Sequence, residues 1–467
     1  MIDNPFLQID RNIVGDIYTS NELMENLGKL CDEFGSRFAG SAEEKQAADF
    51  MKEKLEAYGL KNVSLEAVQY DGWQRGDVQL RIVSPIQKTI PCITLPHSPA
   101  VDLEGQVIDI GDGSPDDFDK YAADIAGKIV LTNSVVYPSG SKRWVHRNEK
   151  FGRALLAGAN GFIFVNHYPG FGPATGGIGP DSPDGGEALM PGISVSLEEG
   201  SFIQRLIQRH EQVRIHLSST DINKPVTSWN VVADLPGKVD SDSIVMLGCH
   251  YDGHDISQGA ADPASGTVAL LDAARVLAKY ASDLPYTIRF ALWSAEEIGL
   301  IGSTQYVLKH DNDLDRIRFY LNMDMAGAIT PKDIILNEWP DLAALFEGWR
   351  EEMALEFGVG QSLSAHSDHY PFMLAGVPTG GIGSLKGGSS GRGFTHTMYD
   401  TLDKVEMRSM REAAALAARL ALRMASEENW PANRLSAQMV EGVLDSRDYR
   451  EESEFAAKVR AYYQESS

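Results

Sequence analysis

The sequence predicts an α/β protein: a mixed, mostly parallel sheet with helices on both faces, interrupted by a β-rich insertion. Three observations carry this. From Ser228 onward, short apolar runs alternate with helical periodicity, as strand–helix–strand units do. Between about 86 and 224 the texture changes to short strands separated by Gly, Pro and Asp, which reads as an inserted domain. The chain has 467 residues, more than one compact core usually takes up, so two or three domains are expected.

Leu23, Met24, Leu27 and Leu30 recur at helical spacing and predict a first helix over about 20–33. After the turn GSRFAGS, Ser41 and Glu44 form a capping box and Gly59 is the stop signal of a second helix. Strands near 63–68 and 78–83 complete residues 1–85, which join 225–467 in one discontinuous main domain. In the insertion, GKIVLTN (127–133), a helix around 150–157, GFIFVNH (161–167), a helix capped at Ser196 and the strand VRIHLSS (213–219) follow one another. The Gly-, Pro- and Asp-rich stretch near 169–187 is a turn region or a lid from the insertion. The main domain resumes with strands at 243–252, 286–294, 318–323, 333–336 and 379–382. Helices are expected at 265–280, 298–310 and 407–427, and the polar tail reads as helical.

The hydrophobic and charged fractions, 43 % and 23 %, are those of a soluble globular chain. The net charge of −24 and the lack of a Lys/Arg-rich block speak against nucleic-acid binding. No uninterrupted apolar stretch is long enough to span a membrane, and MIDNPFLQIDRN has no signal-peptide pattern. Cys31, Cys92 and Cys249 are few, odd in number and far apart, which predicts free thiols and a cytoplasmic location. The tail and the insertion are surfaces compatible with a homodimer.

The acids and histidines fall just after predicted strands, where open α/β sheets bind ligands. His250 and Asp252 follow VMLGC, Glu296 and Glu297 follow IRFALWSA, and Asp324 follows FYLNM. Asp262 opens the loop into the helix at Ser265, and His396 and Asp400 share a later loop. Zinc accepts carboxylate and imidazole ligands, as cobalt and manganese also do. A pair of ions needs one bridging carboxylate and about two further ligands each. His250, Asp262 and Asp324 are assigned to one ion, and Asp262, Glu297 and His396 to the other, each with an open position. Adjacent side chains diverge, so Glu296 is the expected general base beside the ligand Glu297.

HYD (250–252), GAADPASG (259–266), SAEEIGLIGS (294–303), NMDMAG (322–327) and HTMYDT (396–401) occur in this order. Together with GSRFAGSAEEKQAADFMKEKLEAYG near the N-terminus, they resemble the co-catalytic di-zinc exopeptidase family of bacterial leucyl aminopeptidases and glutamate carboxypeptidases. The insertion resembles the protease-associated domain of many members. The resemblance implies a zinc-peptidase fold, two Zn²⁺ per chain, a peptide substrate and an Asp252 that orients His250. In the family the bridging Asp is usually followed by Asp or Asn across a cis peptide. Here Pro263 follows, so a cis Asp262–Pro263 bond is expected.

Other residues carry less. His254 and Asp255 read as loop residues. Asp368, in SDHYPF, is a candidate support for the site, and His366 and Tyr370 are candidate substrate contacts. Arg392, in GGSSGRG, is a candidate partner for a substrate carboxylate. The expected activity is zinc-dependent hydrolysis of a terminal peptide bond, with an aminopeptidase ahead of a carboxypeptidase or dipeptidase. A one-zinc aminoacyl cyclase and a non-catalytic receptor-like protein fit less well, because the full ligand set and the base are present.

Overall fold

A computed structural model of the chain describes residues 4–239, 243–281, 283–386, 393–446 and 449–466. In chain order the strands are β1 Lys61–Gln74, β2 Val78–Ser84, β3 Lys88–Ile90, β4 Ile93–Thr94, β5 Val101–Asp109, β6 Ile129–Asn133, β7 Gly161–Val165 and β8 Gly192–Val195. They continue with β9 Arg214–Ser219, β10 Ile222–Leu235, β11 Ile244–His250, β12 Thr287–Trp293, β13 Ile317–Asn322, β14 Asp333–Leu336, β15 Val359–Gln361 and β16 Thr379–Gly383. Two eight-stranded sheets result, ordered β1-β10-β12-β11-β13-β16-β14-β15 and β3-β2-β9-β5-β6-β7-β8-β4.

The middle of the first sheet, β12-β11-β13-β16, is parallel. Every residue of β11 is buried, as a strand covered on both faces must be. Its alternate residues divide between two cores. Val245, Leu247 and Cys249 join the core shared with the helices Ser265–Tyr280 and Met407–Met424. Met246 faces the opposite core with Trp293, Tyr306, Tyr320 and Phe372. Gly248 makes room on that face: a Cβ there would lie 2.3 Å from Tyr320 Oη and 2.7 Å from Trp293 Nε1.

The helices Ser265–Tyr280 and Met407–Met424 and the strand β14 match the sequence reading closely. Two expectations need correction. The N-terminal region begins earlier than expected, with a helix Leu7–Thr19 ahead of Glu22–Gly28. Its apolar stripe Ile9, Ile13 and Ile17 is diluted by charge. Its buried Asp10 satisfies itself by accepting from Arg419 (3.1 Å) and Arg423 (2.9 Å) across the core. The second concerns β2, placed with the main domain by a boundary at 85. It pairs with β9 and β3 and so belongs to the second sheet. The reason is that β1 and β10 pair from end to end and, beyond the residues Val231–Leu235 that also pair with β12, run on as a two-stranded arm. The chain crosses between sheets at its end, where Gly76 N donates to Asp221 Oδ1 (2.9 Å) and Thr220 N to Asp77 O (3.0 Å). We place the limits of the insertion at this crossing. A smaller correction concerns Glu44. It caps through its own amide on Ser41 Oγ (3.1 Å), but its carboxylate accepts from Gly40 N and Ser228 Oγ instead of closing the box. Among the described residues, no helix is long and apolar enough to cross a membrane.

Asp16 fastens the first helix to Ser265–Tyr280, accepting from Arg275, Lys279 and Tyr280, each at 2.7 Å. Burial opposes its charge, but these three donors win and hold the carboxyl at about 2. A depressed carboxyl stabilises the fold above its unfolded value of 3.8 and loses that contribution as pH falls through about 2. Denaturant titrations of the wild type and D16N should therefore differ by about 1 kcal/mol near neutrality. The difference should shrink as pH drops below 4.

Candidate metal centre

The parallel strands end on one rim. His250 is the last residue of β11, Glu296 and Glu297 lie in the turn after β12, and Asp324 lies two residues past β13. Asp262 sits in the turn that starts the helix at Ser265, and His396 in the loop after β16. Three of these turns contain a non-glycine residue in the left-handed region: Ala295 (φ 55°), Met325 (φ 53°) and His396 itself (φ 58°). Such residues cost on the order of 1 kcal/mol each and collect where function needs a sharp corner.

The five expected ligands come together. His250 Nε2 is 3.3 Å from Asp262 Oδ1 and 3.3 Å from Asp324 Oδ1. His396 Nε2 is 3.2 Å from Asp262 Oδ2 and 3.5 Å from Glu297 Oε2. Two ligands about 2.05 Å from a tetrahedral zinc are about 3.3 Å apart, so both groups have the spacing of donors aimed at a common ion. Asp262 offers one oxygen to each group, as a bridging carboxylate does. The Asp262–Pro263 peptide is cis, as expected.

Supporting contacts explain why these side chains stay in place. The Asp252 carboxylate, fully buried, accepts from the amides of Glu296 (3.0 Å) and Glu297 (3.2 Å). His250 Nδ1 donates instead to the Asp252 carbonyl, at 3.1 Å, with the carboxylate farther off at 3.6 Å. The orienting role expected of this side chain therefore falls mainly on its backbone, while the carboxylate positions the double-glutamate turn. Asp400 accepts from the amides of Ala261 (2.8 Å) and Asp262 (3.1 Å). Arg37, from the GSRFAGS turn, is wholly buried and donates to the carbonyls of Leu30 (2.8 Å), Tyr251 (2.9 Å), Gln258 (2.9 Å) and Gly259 (3.1 Å). It clamps both ends of the loop between His250 and Asp262. A chain of donors runs from Trp293 through Tyr320, Asn322 and Ser367 to Asp324 Oδ2. Ser367 and Arg37 had no chemical signal in the sequence, because each acts through contacts distant in the chain.

A cavity of about 1000 Å³ opens over Asp262, Glu296, Glu297, Asp324 and His396. The insertion supplies one wall with His146, Arg147 and Gly177, and the C-terminal helix Tyr449–Ser466 supplies another. His366 and Tyr370 both line it. His366 is stacked on His146 (centroids 4.2 Å), and its Nε2 lies 3.4 Å from Glu452 of the C-terminal helix. Tyr370 packs beside Leu363 and Met373, and burial pushes its phenol to about 12. Arg392 lies outside the described residues. The glycine-rich stretch of the insertion is seated on the site: Thr175 N donates to His396 O at 2.8 Å. Gly176, at φ 136°, lets Arg147 pass, since a Cβ there would lie 2.1 Å from Arg147 Cζ. Arg147 was not singled out in the sequence, yet it is the insertion's cation in the cavity. Burial lowers its pKa, opposed by the charges of Glu297 and Glu296.

His254, read as a loop residue, is only 2 % exposed and has its Nε2 2.9 Å from Glu297 Oε2. Asp368 is fully buried near Asp252 and Asp324. Desolvation foremost, with their like charge, pushes its carboxyl to about 7 against the pull of His250. Burial pushes the carboxyls of Glu296 and Glu297 well up, and neighbouring carboxylates add to it. Such a crowd of buried acids with imidazoles of suitable spacing is a donor set that divalent cations satisfy. The residues present therefore fit a pair of zinc ions.

Comparison with known proteins agrees. Residues 230–421 match the model for peptidase family M28, and residues 99–203 match that for the PA domain. Mouse carboxypeptidase Q is 27 % identical over 317 residues, covering 67 % of this chain and 66 % of that protein, just under two thirds of its length. Leucine aminopeptidase 2 of Trichophyton equinum is 27 % identical over 381 residues, covering 79 % and 72 %. The structure of a zinc aminopeptidase from Bacillus subtilis superposes with a TM-score of 0.68 at 23 % identity, covering 89 % of this chain and 97 % of that one.

The clamp can be tested without reference to turnover. Arg37→Met leaves the carbonyls of Leu30, Tyr251, Gln258 and Gly259 without this donor. Urea unfolding should show a loss of about 3 kcal/mol. A loss below about 0.5 kcal/mol would mean that Arg37 does not hold the loop.

Proposed function

This chain belongs to peptidase family M28, with a PA domain set into it, and on that footing we propose that it is an aminopeptidase working with two zinc ions. His250, Asp262 and Asp324 hold one ion, and Asp262, Glu297 and His396 hold the other. The observation that carries this is the Asp262 carboxylate, with His250 at 3.3 Å from one oxygen and His396 at 3.2 Å from the other. When bound, the ions acidify water and polarise the scissile carbonyl.

The rest of the chemistry falls to the chain. Glu296 stands 4.0 Å from His250 Nε2 at the cavity floor, where it takes a proton from water and returns it to the leaving amine. Asp252 fixes the turn so that Glu296 faces the cavity while Glu297 faces His396. The carboxylates of Glu296 and Asp324 receive the substrate's free α-amine. The walls from the insertion and the C-terminal helix limit the depth available to the chain, which suits removal of a terminal residue. The free thiols of Cys31, Cys92 and Cys249 suit the cytoplasm.

One observation favours a second reading, cleavage next to a free C-terminal carboxylate: Arg147 lines the same cavity and could receive that carboxylate. Glu296→Gln should lower kcat by about 10²–10⁴-fold while zinc stays near two per chain by elemental analysis. Retention of most activity would remove Glu296 from its role. Leucyl peptides with free and acetylated N-termini separate the two readings. The aminopeptidase cuts only the free ones, and Arg147→Met leaves that rate near wild type. Cleavage of acetylated peptides that Arg147→Met abolishes would establish the second reading instead.

A further inference from the structure

The five ligands expected from the family resemblance leave out His254, yet this imidazole points into the same centre. One donor atom each of His254, Glu297 and His396 lies within 4.8 Å of the others. His254 Nε2 is 2.9 Å from Glu297 Oε2, and its ring meets that of His396 edge-on, with centroids 4.5 Å apart. The Glu297 contact lacks the direction of a hydrogen bond. Both ring nitrogens of His254 and Oε1 of Glu297 are buried without a hydrogen-bond partner. Buried polar groups in native folds are almost always partnered, so three such atoms gathered here imply a further partner between them.

The loop is built to hold His254 there. Before it, Gly253 N donates to Ser36 O at 3.1 Å. After it, Asp255 forms a bidentate pair with Arg75, at 2.6 and 2.8 Å, and Arg37 donates to Gln258 and Gly259. An ordinary surface-loop histidine would have neither this burial nor anchors on both sides.

We propose that His254 is a protein ligand of the second ion, together with Asp262, Glu297 and His396. This assignment rests on the two-metal reading above. It replaces the expectation of an open position on each ion with an asymmetric pair. The His254 site has four protein ligands, as closed structural zinc sites do, and the His250 site keeps the open position for substrate. The closed site is accordingly the tighter one.

The test is a chelator titration of the zinc-loaded full-length protein, with bound zinc measured by elemental analysis. Apo and loaded melting temperatures are recorded in parallel. The wild type should hold two equivalents and release them in two steps. In His254→Ala the more resistant step should move to at least tenfold lower chelator, and the melting temperature should fall only in the loaded protein. His254→Gln, of similar size, keeps the test readable if the alanine variant fails to fold, and should show the same shift. Release steps unchanged from wild type, or equal drops in apo and loaded melting temperature, would overturn the assignment and leave the two-metal reading intact. A wild type that holds fewer than two equivalents would overturn both.

Discussion

The Asp262 carboxylate is the point on which the geometry of the centre turns. One oxygen faces His250 and the other His396, and these histidines come from segments far apart in the chain. A carboxylate can serve two ions in this way only if it is held against rotation and against the pull of either side. Asp400 holds its backbone by two amides, and Arg37 ties the approaching loop to the core at both ends. The parallel centre of the sheet fixes the remaining groups on one rim, since β11, β12 and β13 end side by side. The buried acids beneath the rim repel one another, and bound cations relieve that repulsion. Fold and metal content are in this sense coupled.

The insertion is part of the site, not an appendage to it. Its glycine-rich stretch touches the backbone of His396, His97 Nε2 reaches Ile298 O at 3.2 Å just past Glu297, and Arg147 enters the cavity. The C-terminal helix closes the arrangement from outside by packing on the helix Arg147–Leu156, where Arg153 covers the ring of Phe455 at 4.4 Å. The rim residues therefore belong to the main sheet, while the cavity walls come from where three segments meet. That division explains why the reaction type follows more directly from the rim residues than the identity of the cleaved peptide does.

Much of the main domain was legible because its physics is local. The helix Ser265–Tyr280 follows from periodicity, and the strand-end acids follow from the rule that open sheets bind ligands at carboxyl ends. The misses have a common cause in non-local satisfaction. Helix Leu7–Thr19 carries a buried Asp10 whose partners, Arg419 and Arg423, lie about 400 residues away, so its amphipathic stripe looked broken. β2 resembles a strand of either sheet until its partner β9 is known. His254 looked like one more loop histidine because nothing in HYDGHD reveals that Asp255 and Arg75 turn the loop inward. Asp252 was found, but the division of labour between its carbonyl and its carboxylate depends on backbone geometry that spacing does not contain.

The central claim is that Asp262 bridges two ions. Anomalous diffraction at the zinc edge from crystals of the zinc-loaded protein tests it most directly. The account predicts two peaks of comparable occupancy, about 3.5–4 Å apart, one on each side of the Asp262 carboxylate. A single peak, or two peaks that do not share Asp262, would contradict it.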